Sequence, residues 1–559
     1  ERSGARSGVS MAVAISVPRD DSPQQLYERE RHLAAQRELY EWDRRPGLPP
    51  LCKGVPAPER FGRASAYEML SDAAESVASG ALSVYGWLRR SPMKISHYDA
   101  LYALRHPPRV MERWRSDREF ARQRLNGINP FLITCIAELP ERFPVTDEHL
   151  RGVLPDGVSL TRLLDERRVF LCDWKDVAGA PLVLGRFQAA PMALFWLDDS
   201  RTLMPLAIQL GQSPAEAPVI FTPADDLWLW LTARMYVTNA DGTYHEVIAH
   251  LARTHLVMEP VWVAACRTLP PEHPVHELLA PHFTGTININ DDALTDLLAP
   301  GGPIDITMSP GSDGSFWLAE QEYSRWRLDD WNPRAELARR GVLDPDVLPG
   351  YWFRDDALAL FDAIGEYVGQ LLGVFYRSDD DVRGDPELLA FARELVADDG
   401  GRVRGTPVTA DGRLESVADV VRLLQQVVYT VSAEHGAVNN GQWDQFGYIP
   451  NTPGALFMPP PTSKHMTNEA RLVYALPGYR SSVEQMAMVR MLSAPTLTPL
   501  GSYPDEFFIG SVPAELCVDR FRSRLDDIAF AIEHRNAELP AHERYTYLVP
   551  SDVGRSITI

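Results

Sequence analysis

Two rhythms of apolar and polar positions run along this chain. From Arg167 to Leu210 the apolar runs are short and separated by turn residues: RVFLCDWK, PMALFWLDD, MPLAIQLG. Runs of this kind predict strands, whose successive side chains leave on opposite faces. Beyond Leu227 the apolar spacing lengthens to three and four. DDLWLWLTARMYV, HEVIAHLARTHLVMEPVWVAACRTL, DDALALFDAIGEYVGQLLGVFY, VADVVRLLQQVVYTVSAEHGAVNNGQW and VDRFRSRLDDIAFAIEHRNAEL each predict a helix with a buried stripe. Upstream, Ser22 to Arg45 reads as a charged helix, and Pro46 to Pro58 as a Pro/Gly-rich connection. Ala66 to Arg90 has a helical pattern with small and apolar residues on most faces. That suits either burial or a lid that touches lipid surfaces. No internal repeat or low-complexity tract interrupts the pattern. The expected architecture is mainly α: an N-terminal extension or helical arm over 1–60, then one large helical domain over 61–559. A small β subdomain is expected at about 165–215.

Composition narrows this picture. Of 559 residues, 45% are hydrophobic, enough for a large core. The net charge of -21 argues against nucleic acid and against attraction to anionic membranes. No continuous apolar run of about 18 residues suggests a bilayer span. The five cysteines are scattered, without a CxxC pair, which fits reduced thiols. MAVAISVP, starting at Met11, is too short and weakly flanked for a signal peptide. The ten residues before it are rich in Gly, Ser and Arg and suggest an appended remnant. A soluble monomer is expected, cytoplasmic or exported.

The histidines change the picture most. There are 14, and six of them fall between His245 and His282: His245, His250, His255, His273, His276 and His282. Two histidines on one apolar helix favour a metal site. His250 and His255 are five apart, however, which a regular helix turns about 140° from each other. A π-type widening of the helix would bring them onto one face. The HExxH pattern of zinc proteases is absent, because His245-Glu246 is followed by His250 one residue too late. A second cluster, EHGAVNNGQW, sets His435 and Asn439 four apart, about 40° on an ordinary helix. An exposed polar helix end, stopped by Asn-Asn-Gly, would read the same way.

Taken together, these segments resemble the lipoxygenase family. His245, His250, His255, His273 and His282 follow its central histidine spacing, and HLARTHLVMEP is similar to its first metal helix. EHGAVNNGQW is similar to its second. PLAIQLG, YWFRDDALAL, YIPNTP and the closing SITI match in order. The likeness is strongest from about Leu227 onward. Many members carry an N-terminal β-sandwich; the helical patterns here resemble the short bacterial forms instead.

The resemblance implies a non-haem iron dioxygenase acting on 1,4-cis,cis-pentadiene fatty acids of the linoleate or arachidonate type. Its products would be S-configured hydroperoxides. Its partners would be the fatty acid and O2, with transient lipid-surface contact. By position, the ligands would be His250, His255, His435, Asn439 and the terminal carboxylate of Ile559. Iron is implied rather than manganese, with a metal-bound hydroxide rather than a side chain as base. His245, His273 and His282 would be structural. Glu246 and Gln442 match positions that link a ligand to the substrate cavity. Leu256 and Leu492 would clamp the pentadiene, and Gly242, Thr307, Met308 and Met488 would set pocket depth, with Gly242 leaving a roomy end. Ala293 would shield one end of the radical and fix the S configuration, although counting from Ile287-Asn288 lands on Asp291 instead. Asn290 and its neighbours occupy a region where some relatives carry arginine, so no cation is assigned to the fatty-acid carboxylate. Two other readings stay open. A metal-dependent hydrolase would use His245, Glu246, His250 and His255. A non-catalytic lipid-binding helical protein would bind fatty acid without metal or conjugated-diene product.

Overall fold

The computed structural model describes residues 15–60, 92–103, 106–465, 468–494 and 498–559; the helix expected over Ala66–Arg90 lies outside them. The first helix runs Pro23–Leu39, opened by a capping box in which Ser22 and Gln25 bond each other's backbone and side chain. It stops short of the expected Arg45. Trp42–Asp43 is drawn instead into an antiparallel pair with Leu51–Cys52, around the Pro/Gly-rich turn. Val17, Tyr40, Leu48 and Leu51 join the same buried cluster as the large helices. The described part of the arm therefore packs on the same core as the large helices.

The three predicted strands are Val169–Asp173, Met192–Leu197 and Leu203–Gln209. Short edge strands at Thr134–Cys135 and Ile220–Phe221 complete a five-stranded antiparallel sheet. Alternation serves two cores here. Phe170, Cys172, Ala193 and Phe195 face the main cluster, while Val169, Met192, Leu194 and Trp196 pack on a separate small one with Phe143 and Leu163. A register shift at Leu194/Phe195 kinks the central pairing.

The helical patterns expected beyond Leu227 form helices, and two long ones frame the domain. Trp352–Phe375 packs along Val417–Tyr429 and Val512–Glu538. By length and composition Trp352–Phe375 could cross a membrane, although Asp362 and Glu366 interrupt its apolar run. Its apolar stripe is used otherwise, since Leu360, Ile364, Val368 and Leu371 are buried against those neighbours.

A second cluster of metal-type side chains, His273, Asp385 and Glu387, is saturated by the fold. His273 Nδ1 accepts from the Val275 N–H, and its Nε2 lies 3.2 Å from Asp385. Glu387 takes both arms of the Arg29 guanidinium, at 2.9 and 2.7 Å. Burial pushes the Asp385 carboxyl up, but His273, the Leu388 N–H and the Tyr376 hydroxyl outweigh it and hold it at about 2. A carboxyl depressed by folding stabilises above its unfolded pKa, near 3.9, and loses that contribution as pH falls toward 2. Acid titration of stability should thus show a loss of about 2 kcal/mol between pH 4 and pH 2 that Asp385→Asn abolishes.

Candidate metal centre

The helix Leu227–Thr243 runs without a break into a π-helix, Tyr244–Leu256. In a π-helix each N–H reaches five residues back, so residues five apart share a face. This resolves the spacing of His250 and His255, whose Nε2 atoms lie 3.2 Å apart. The second helix shows the same device. Thr430–Glu434 is π, and His435–Asn439 follows as a short α turn. His435 Nε2 lies 3.1 Å from His250 Nε2. Three imidazole nitrogens therefore converge from two chain segments far apart in sequence.

Burial pushes all three rings below the ordinary histidine pKa, His250 to about 4; for His255 and His435, both held well below the ordinary value, the neighbouring rings add to the effect. They are neutral at pH 7, with lone pairs to offer. His255 is fixed in its tautomer: its Nδ1 lies 3.1 Å from Asn290 Oδ1, which can only accept, so Nε2 is left free to bind. Asn290 Nδ2 in turn donates to Glu259 Oε2 at 2.7 Å, and Glu259 Oε1 accepts the Cys52 N–H at 2.7 Å. Burial raises the Glu259 carboxyl to about 7. Sequence reasoning missed Asn290 and Glu259 as partners of His255. A second polar Asn directly after the TINI run, and a Glu four residues after His255 in an apolar helix, were the available signals.

Asn439 lies one turn beyond His435 and is buried, and its Oδ1 accepts from Gln442 Nε2 at 3.0 Å. Gln442 Nε2 also points at the Leu492 carbonyl, 3.3 Å away. A main-chain oxygen of Ile559 accepts a hydrogen bond from His435. Glu246 Oε2 sits 3.9 Å from His250 Nδ1. Glu246 Oε1 and Gln442 Oε1 are both buried without a hydrogen-bond partner among the described residues. Neutral imidazoles joined by amide and main-chain oxygens suit a first-row transition ion better than calcium or magnesium.

His250 and His255 line a cavity of about 940 Å³, and His435, which adjoins both rings, is not in its wall. Glu246, His250, His255, Leu492, Ala293 and Ile559 line it, with apolar side chains such as Leu251, Ile289, Leu297 and Ile304 beyond them. Such a volume suits a long apolar ligand. Ala293 faces the cavity and Asp291 is not in its wall.

Five of the expected pocket residues do not line this cavity. Leu256, Gly242, Thr307, Met308 and Met488 are buried but absent from the described wall. The reason is packing. A Cβ on Gly242 would meet Thr452 at 3.1 Å and Phe446 at 3.4 Å, so no roomy end opens there. Pro303 and Ile304 face the cavity, whereas Thr307, in the same short helix, turns its hydroxyl to Pro303 O and Met488 Sδ. Met308 packs its sulfur against Gly454.

Known proteins are similar to this chain in sequence and fold. The lipoxygenase family model matches residues 93–550. Polyunsaturated fatty acid lipoxygenase ALOX15B of Homo sapiens is 33% identical over 557 residues, covering 97% of this chain and 81% of that protein. Hydroperoxide isomerase ALOXE3 of Homo sapiens is 35% identical over 458 residues, or 80% of this chain and 63% of that one. A crystal structure of a lipoxygenase variant in complex with arachidonate superposes with a TM-score of 0.92 at 29% identity, covering 98% of this chain and 84% of the other. The chain belongs to the lipoxygenase family.

Proposed function

We propose that this protein adds O2 to polyunsaturated fatty acids bearing a 1,4-cis,cis-pentadiene and releases S-configured hydroperoxides. The observation that carries the reading is three neutral, buried imidazoles that converge, two of which, His250 and His255, line a mainly apolar cavity. His250, His255, His435, Asn439 and Ile559 would hold the metal, and iron suits their imidazole, amide and carboxylate donors better than manganese, which favours oxygen. When bound, iron would supply the one-electron oxidant that a bis-allylic C–H requires. The chain's own residues do the rest. Leu492 and Leu251 hold the acyl chain against the histidines, and the apolar wall keeps bulk water away. Gln442 ties Asn439 to the Leu492 carbonyl, so acyl-chain position and ligand position are coupled.

The test is oxygen uptake and conjugated-diene absorbance with linoleate and arachidonate, joined to metal analysis. Uptake of one O2 per diene formed is expected. Zinc with no lipid oxidation would favour the hydrolase, and binding without metal or product would favour the lipid carrier. Turnover of a hydroperoxide without O2 uptake would move the reading toward the activity for which ALOXE3 is named.

Ala293 is the residue proposed to fix product configuration, and its place in the cavity wall supports it over Asp291. A methyl group there shields one end of the pentadienyl radical. Ala293→Gly should open that end and raise the R fraction at least several-fold, read by chiral chromatography. An unchanged product from Ala293→Gly, with a changed one from an Asp291 substitution, would refute the assignment.

A further inference from the structure

The last residues of a chain usually fray, yet here Ile559 lies against His435. What holds the segment leading to it is specific. His282 is fully buried, and its Nδ1 is 2.8 Å from the Arg555 carbonyl. A carbonyl only accepts, so Nδ1 carries the proton and Nε2 accepts from the Tyr503 hydroxyl at 3.2 Å. Tyr503 is stacked in turn on Phe507 at 4.3 Å and on Tyr367 at 6.2 Å, the latter within the long helix Trp352–Phe375. Two residues along, Thr286 Oγ1 donates to the Ile557 carbonyl at 3.3 Å, with Ile557 fully buried. From the other side, the Leu500 N–H bonds Val553 O and the Arg555 N–H bonds Thr498 O, at 2.8 and 3.0 Å. The short stretch from His282 to Asn290 thus grips two elements of the centre at once. Asn290 fixes the His255 ring, and His282 with Thr286 fixes the segment that carries Ile559.

We propose that His282 is a positioning residue: through Arg555 O, and with Thr286 on Ile557 O, it holds Ile559 beside His435 before any metal arrives. The proposal rests on the reading of Ile559 as a metal-binding group. It makes the non-ligand histidine part of the metal site's preorganisation, and it makes Tyr503 the link between the helical core and that segment.

The test is amide hydrogen exchange of residues 553–559 in the full chain, before and after chelation, with the rate of metal loss to a chelator measured alongside. In the unsubstituted protein the segment should stay protected after chelation. His282→Leu should raise its exchange at least tenfold and speed metal loss about tenfold, in the range seen when partners of metal ligands are removed. Exchange in Trp352–Phe375 should not change. His282→Asn, whose side-chain amide nitrogen takes the place of Nδ1, should restore both. Should His282→Leu fail to fold, Thr286→Val is judged by the same two readouts. Unchanged exchange in 553–559, equal loosening of Trp352–Phe375, or an Asn variant no better than Leu would each overturn the clamp. Exchange in the chelated protein does not depend on metal identity or turnover. A chain that binds no iron would therefore sink the functional reading while leaving the clamp standing or falling on its own.

Discussion

His255→Ala and His435→Ala are each expected to leave less than about a tenth of an iron per chain and to lower diene formation at least a hundredfold. Loss of a partner of a ligand already costs about 10–100-fold, so loss of the ligand itself should exceed that. The three rings are held without help from a metal: the π segments set their spacing, burial keeps them neutral, and Asn290 fixes the His255 tautomer. Removing one ring leaves two nitrogens that converge on a gap which water fills poorly as a ligand. Asn290→Ala supplies a graded comparison. It frees the His255 ring to rotate and should weaken metal retention within the 10–100-fold range, short of the alanine variants. Metal analysis by mass spectrometry and oxygen uptake, on the same preparations, decide it. A fully metallated and active His255→Ala protein would remove the basis of the functional reading.

Removal of Ile559, or its extension by an appended tag, is expected to lower turnover at least a hundredfold with the fold retained. Ile559 is only half-buried, at the edge of the core it packs against. Ile557 and the bonds to Arg555 O and Ile557 O remain in the shortened chain and keep the segment docked. What is lost is the oxygen beside His435, and with it one donor of the set. Circular dichroism and the melting temperature should stay close to those of the parent, while iron content and diene formation fall together. Normal turnover by the extended protein would show that this position is not a ligand.

The main strands and long helices were legible because short apolar runs set off by turns mark the first, from Val169 to Gln209, and a longer apolar spacing of three and four marks the second, from Leu227 to Glu538. The family was legible in the same way, through ordered short segments around His250, His255 and His435. The spacing of His250 and His255 even announced the departure from an ordinary helix, since a five-residue gap makes no sense without one. The pocket was far less legible. Thr307 and Ile304 sit three residues apart on one short helix, yet one turns to Met488 and the other to the cavity. That choice is made by which neighbour fills the space, and no local pattern encodes it. Gly242 reads as room in a sequence, but the room belongs to Thr452 and Phe446. Asn290 and Glu259 escaped notice because their significance lies in contacts with Cys52 and His255, distant along the chain.

The wide helix from Tyr244 to Leu256 also bears on how this chain tolerates changes of length. Losing one residue from an ordinary buried helix rotates everything downstream by about 100° and drives its apolar face out of the core. Here a lost residue between His250 and His255 can be absorbed by letting one turn tighten to the α form, so Glu259–Thr268 need not turn away from its partners. The two histidines would then stand four apart on a regular turn, a spacing at which ordinary helices present paired rings. The core could survive that deletion while the geometry of the three-ring centre did not. Foldability and chemistry, inseparable in most buried helices, come apart at this one stretch.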